Sequence, residues 1–194
     1  MRIEIVDRAG SGLYALQEER EQFSGLTFES IMPGGMSIAS FSIPWRINIK
    51  RPRLVGCRLS IYDGATIVWW GTIGTVTDKT EGGDSSLSIN AYGPWDAMAK
   101  IPFTQAYSGP TYTGGDIIKA VLFGNVPDVA IAPEIWDSLS MGISPVTWTN
   151  SNVQTVITEC LRFGDTTTSP WSFVILPPAY RPYNCSAFEI NEPW

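Results

Sequence analysis

Leu54 to Trp95 constrains this chain more than any other stretch, because its residue pattern admits an antiparallel β-meander and little else. Cys57, Leu59 and Ile61 alternate with Arg58, Ser60 and Tyr62, so one side of an extended segment is apolar and the other polar. Asp63-Gly64 is a hairpin turn signal, and Ala65 to Thr77 continues in β-branched and aromatic residues. Glu81-Gly82-Gly83-Asp84 supplies a second turn. Leu87, Ile89 and Ala91 then alternate with Ser88 and Asn90 until Gly93-Pro94 breaks the strand. Neighbouring strand residues face opposite sides, so one of Trp69 and Trp70 points into the core and the other away from it.

The flanking segments extend this architecture. Met1 to Asp7 alternates like a strand, and the charged patch from Glu18 to Glu21 reads as a solvated turn, since neighbouring carboxylates without partners hold no fixed metal geometry. Leu26, Phe28 and Ile31 lead into the Pro- and Gly-rich turn Met32 to Met36, and Ile38 to Ile43 returns with Phe41 and Ile43 on one face. Asp96 to Lys100 has a helical preference confined by Pro94 and Pro102. The Tyr-, Ser-, Pro- and Gly-containing stretch 104–114 reads as a linker.

Beyond it two segments look helical. Asp116 to Phe123 carries an acid in its first turn, apolar residues at Ile117, Ile118, Val121 and Leu122, and Gly124 as a stop. In the second, Ser151 and Gln154 make a capping-box pattern, Val153, Val156, Ile157, Cys160 and Leu161 follow helical spacing, and Gly164 ends the run. Both are expected to lay one face on a sheet.

The chemistry is bounded mainly by what is missing. The sequence has no histidine, which removes Ser-His-Asp and Cys-His catalysis and the usual zinc sites. Neither Met32-Pro33-Gly34-Gly35 nor Tyr112-Thr113-Gly114-Gly115 has the lysine of a phosphate loop. Cys57, Cys160 and Cys185 lie far apart, so neither a zinc knuckle nor a disulfide framework is indicated, and Cys57 and Cys160 fit as small apolar residues of a core. No cofactor is expected. A pair of the 19 acids converging as a hydrolase site is the enzymatic alternative, with nothing specific in its favour.

A net charge of −6 argues against a grip on nucleic acid that depends on neutralising phosphates. The one concentration of positive charge is Arg46, Lys50, Arg51, Arg53 and Arg58; along Arg46-Ile47-Asn48-Ile49-Lys50 the polar residues fall on one side and the isoleucines on the other. In an acidic chain such a strand suits an acidic face of a neighbouring subunit better than nucleic acid. The start lacks the apolar core of a signal peptide, and no apolar run reaches the roughly 20 residues of a membrane helix. The expectation is therefore synthesis in a cytoplasm without a membrane anchor.

Two sets of residues resemble phage tail hub proteins. The first is Leu54-Val55-Gly56-Cys57-Arg58-Leu59-Ser60-Ile61-Tyr62-Asp63-Gly64 answered by Trp69-Trp70-Gly71-Thr72-Ile73-Gly74, which is similar to the opening domain of that family. The second is Gly115-Asp116 to Phe123, then Val129 to Val146, then Asn152 to Phe163-Gly164-Asp165, followed by Pro170-Trp171-Ser172-Phe173-Val174. The proline-rich ending from Arg181 to Trp194 departs from the family pattern.

The resemblance implies a β-rich α+β protein: a tail-tube-like antiparallel β-barrel at 1–103, a linker at 104–114, and a smaller α+β hub domain at 115–194 that is shortened or continues in a longer chain. It further implies a non-enzymatic virion protein of the tail hub or tail tip. Such a protein forms a ring, with a trimer favoured and a hexamer as the alternative, between the tube or distal tail proteins and a spike or fibre. Genome DNA is passing cargo only. On this reading Arg46, Lys50, Arg51 and Arg53 are candidates for subunit contacts, and one of Trp69 or Trp70 for an apolar anchor. The rival reading is a carbohydrate- or receptor-binding β-sandwich, for which the eight tryptophans would include an exposed stacking platform.

Overall fold

The computed structural model describes residues 1–7, 9, 11–31, 34–44, 54–81, 84–108, 112–125, 129–131, 142, 145–163, 172–176 and 186–191. Contacts divide the chain into two units, Met1–Ser30 with Met36–Pro94, and Ile31–Gly35 with Trp95–Trp194.

The first unit is the meander expected from the sequence, enlarged on both sides. Its strands are β1 (Arg2–Val6), β2 (Gly12–Gln17), β3 (Ser24–Ile31), β4 (Gly34–Pro44), β5 (Arg58–Asp63), β6 (Thr66–Glu81) and β7 (Asp84–Tyr92), in the order β2-β1-β5-β6-β7-β4 with β3 on β4. The β5–β6 hairpin turns at Gly64, whose φ of +58° suits a residue without a Cβ, and β6 and β7 meet at Glu81 and Asp84 as the turn residues indicate. Period-2 alternation sorts the faces. Ile3, Ile61 and Trp69 lie in one cross-strand row, Phe41 and Ile89 in another, and all are buried.

The barrel expected of this unit does not close, because among the described residues β2 and β3 are not paired with each other. Both strands leave one reverse turn. Gln22 donates its N–H to the Gln17 carbonyl at 3.3 Å, and Gln17 donates to the Gln22 Oε1 at 2.9 Å. Between them Glu18–Arg20 form a 3-10 turn ended by Glu21 in the left-handed conformation, φ 50°. The expected solvated turn is thus real, and its three 3-10 residues are exposed.

The second unit contains α1 (Trp95 onward in Pro94–Met98), β8 (Pro102–Tyr107), α2 (Gly114–Asn125), β9 (Val129–Ile131), β10 (Val146–Asn152), α3 (Val153–Phe163), β11 (Ser172–Leu176) and β12 (Ser186–Asn191). β8 pairs antiparallel with β10, β11 antiparallel with β12 and parallel with Gly34–Gly35, and β12 parallel with β9. α1 adds a five-residue helix to the two expected. The stretch read as a linker is in part structured: Thr104 to Tyr107 belong to β8, and Phe103 and Tyr107 are buried.

Both longer helices bury the residues their spacing indicates: Ile117, Ile118, Val121 and Leu122 on α2, and Val153, Val156, Ile157, Cys160 and Leu161 on α3. α2 begins with a reciprocal cap in which Asp116 N–H donates to Thr113 Oγ1 at 3.1 Å and Thr113 N–H to Asp116 Oδ2 at 3.0 Å. α3 departs from expectation. Ser151 is still paired with Phe103 in β10, so Asn152 caps the helix by accepting the Thr155 N–H at 2.8 Å, and the Gln154 amide reaches the Trp95 carbonyl instead.

Candidate assembly surface

In the first unit, the sheet face turned away from the core carries polar and aromatic side chains that reach the surface. Gly71 and Trp69 show why the core face is fixed: a Cβ on Gly71 would meet the Trp69 ring and the Tyr92 carbonyl, so ring and strand are in direct contact. Trp69 is 0% exposed. Trp70 is the outward member of the pair; it is half-buried, its backbone N–H points at the Met36 sulfur at 3.2 Å, and Arg58 lies over its ring 5.8 Å from the centroid.

One strand over, the same face repeats the motif. Arg2 stacks over Tyr62 at 4.2 Å and pairs with Glu4 at 3.3 Å. Burial raises the Tyr62 hydroxyl pKa, helped by its hydrogen bond to Glu4 and the charge of Glu4, while Arg2 opposes the rise. Trp70 Nε1 and Arg2 Nε are both buried atoms without a hydrogen-bond partner, an arrangement that favours an incoming acceptor.

Farther along the face the character changes to short neutral side chains. Ser40, Asn90 and Thr75 lie in one cross-strand row and Ser42, Ser88 and Thr77 in the next. Asn90 Nδ2 donates to Thr75 Oγ1 at 3.2 Å, and Thr27 and Ser40 share a hydroxyl hydrogen bond of 2.8 Å.

In the second unit, the conspicuous cluster is internal. Trp148 Nε1 donates to Glu159 Oε2 at 2.6 Å, and Trp148 makes edge contacts with Phe103 and Tyr107 at centroid distances of 6.4 and 5.9 Å. Cys160 is buried beside it and its thiol is pushed up to about 12 by burial first and by the charge of Glu159 second. Burial likewise raises Tyr107. These values suit packing, and Cys57 is buried too, so both cysteines occupy the structural positions expected; Cys185 lies outside the described residues.

Of the sequence-derived contact candidates, Arg46, Lys50, Arg51 and Arg53 lie outside the described residues, as do Trp45, Trp136, Trp171 and Trp194. Among the described tryptophans, Trp69, Trp95 and Trp148 are buried and Trp70 alone reaches the surface, which leaves no stacking platform of several rings there. Among the described residues there is no cluster of His, Cys, Asp or Glu able to hold a metal, and no helix long and apolar enough to cross a membrane. The Arg2–Tyr62 stack escaped sequence reading because its partners are 60 positions apart; only knowledge that β1 pairs with β5 would find it.

No protein-family model and no curated protein sequence matches this chain. Solved structures do. A tail protein from Neisseria meningitidis MC58 matches with a TM-score of 0.61 at 14% identity over 96% of this chain and 49% of that one. The 43 kDa tail protein of prophage MuSo2 from Shewanella oneidensis matches with a TM-score of 0.61 at 8% identity over 97% and 52%. An E. coli component of the type VI secretion system, itself structurally similar to the T4 tail proteins gp27 and gp5, matches with a TM-score of 0.54 at 10% identity over 86% and 48%. The chain thus has the fold of tail proteins and spans about half the length of each of these.

Proposed function

We propose that this protein is a structural component of a phage tail, at the hub or tip, where copies form a ring that joins the tail tube to the central spike or fibre. The observation that carries this reading is the likeness to tail proteins over 96–97% of the chain, both units included. The open sheet supports it, because among the described residues β2 and β3 each have one unpaired edge, whose backbone donors and acceptors a neighbouring chain can satisfy. The ring sits in the virion, and genome DNA passes without being gripped. The Ser, Thr and Asn rows carry no cation to exchange for a phosphate counterion, and the chain's net charge is −6. The role is mechanical, not catalytic.

In this ring Trp70, with Arg58 over it, is the apolar anchor, and Arg46, Lys50, Arg51 and Arg53 meet acidic faces of neighbours. The test is the native mass of the purified protein over a concentration series at low and moderate salt. A trimer or hexamer is expected, and Arg51→Glu with Arg53→Glu should reduce it to monomer without unfolding it. A wild-type protein that stays monomeric throughout overturns the ring.

A further inference from the structure

We propose that the gap between β2 and β3 is a strand-docking site, and that its occupant is the Arg46–Lys50 segment of a second copy of this chain. The proposal rests on the ring reading and names the contact that builds the ring. β2 and β3 are joined by the hydrogen-bonded turn at Gln17 and Gln22, and among the described residues neither is paired on the side away from its one neighbour in the sheet. An extended segment entering there could ladder to both, since every second N–H and C=O of an edge strand points outward.

The side chains show what the missing strand must bring. The Thr27–Ser40 hydrogen bond fixes the parity of β3: Thr27 and Glu29 lie on the polar face, so Leu26 and Phe28 lie on the core face. There Phe28 is 37% exposed and Leu26 half-buried, although Ala39 and Phe41 on the adjoining strand are 1% and 2% exposed. On the opposite side of the gap Tyr14, paired with buried Ile5, is half-buried. The core face is sealed at β4 and uncovered at β3. β3 also lacks the Lys, Arg or Pro that blunts an edge left in solvent. The rim carries Glu29 on β3 and Glu18, Glu19 and Arg20 at the turn, with Glu18 paired to the N-terminal ammonium at 3.0 Å, so its balance is acidic.

A fitting strand therefore alternates apolar residues toward Tyr14, Leu26 and Phe28 with basic residues toward the rim. Arg46-Ile47-Asn48-Ile49-Lys50 has that alternation, with a cation at each end of its polar side. Donation from copy to copy is a heterologous contact, which closes into a ring when the rotation per step divides the circle.

The experiment is backbone amide hydrogen exchange on the full chain, diluted until monomeric, with and without a synthetic peptide of residues 44–52. The peptide should slow exchange at least tenfold within Leu13–Gln17 and Gly25–Ser30, and the same peptide with Ile47→Asp and Ile49→Asp should leave exchange unchanged. No slowing by the parent peptide overturns the site, as does equal slowing by both peptides. Seam amides already protected in the diluted monomer would place the strand in the same chain and overturn donation between copies. Because this reading needs no assembled ring, its failure is separable from a monomeric result in the mass measurement.

Discussion

The two units satisfy their backbones by different means. In the first unit nearly all regular structure is strand, each strand relies on a neighbour, and among the described residues β2 and β3 each have one unpaired edge. In the second unit α2 and α3 satisfy their own interior amides, end in side-chain caps, and bury one stripe each. A helix finishes its hydrogen bonding within itself and serves stability, whereas a strand edge left open can add a chain. Residues of the first unit should therefore divide sharply between stability and assembly, while those of α2 and α3 should report on stability alone.

The sharpest version of that division is the pair Trp69 and Trp70. Trp69→Ala empties a fully buried site of its largest side chain and should cost about 3–5 kcal/mol in chemical unfolding. Trp70→Ala should cost well below that and should weaken assembly instead. Equal losses of stability from both would erase the distinction between the two faces of β6.

The second unit can be probed by pH. Cys160 and Tyr107 both have raised pKa values, so the folded state holds their protons where the unfolded chain releases them. Stability from these groups is fully present below the unfolded values, near 9 for the thiol and 10 for the phenol, and is lost as pH rises through the folded ones, about 12 for Cys160. Thermal denaturation between pH 8 and 11 should show a declining midpoint for this unit, and Cys160→Ala should flatten the decline while lowering the midpoint at neutral pH. An unchanged slope would remove Cys160 from the account. Trp148→Phe keeps the ring contacts but strips the donor from Glu159, and should cost about 1–3 kcal/mol. A cost near zero would mean that Glu159 finds water instead.

How far the sequence revealed all this depends on the range of the interaction. Period-2 and 3.6 patterns located Phe41, Ile43 and the five buried residues of α3, because local spacing sets which face a side chain joins. The composition of 104–114 reads as linker and hides the end of β8, whose buried residues Phe103 and Tyr107 are four apart and so give no period-2 signal, and its partner β10 carries a bulge between Trp148 and Ser151. The open seam was out of reach altogether, since closure depends on whether β2 and β3 pair, and the turn joining them has the same residues either way. The surface pairs Arg58–Trp70 and Arg2–Tyr62 likewise follow from strand order, not from spacing.

The smallest expected effect tests the finest of these distinctions, where a strand hands over to a helix. Ser151 and Asn152 are adjacent and both are competent N-caps, and the capping-box pattern favours Ser151. Pairing decides otherwise: β10 continues against β8 through Ser151 opposite Phe103 and Asn152 opposite Pro102, so the first helical residue is Val153 and the cap must be Asn152. Asn152→Ala should then cost about 1 kcal/mol in unfolding, whereas Ser151→Ala should stay within about 0.5 kcal/mol of the parent. The reverse ranking would mean that the helix starts one residue earlier and that β10 gives up its last pair to it.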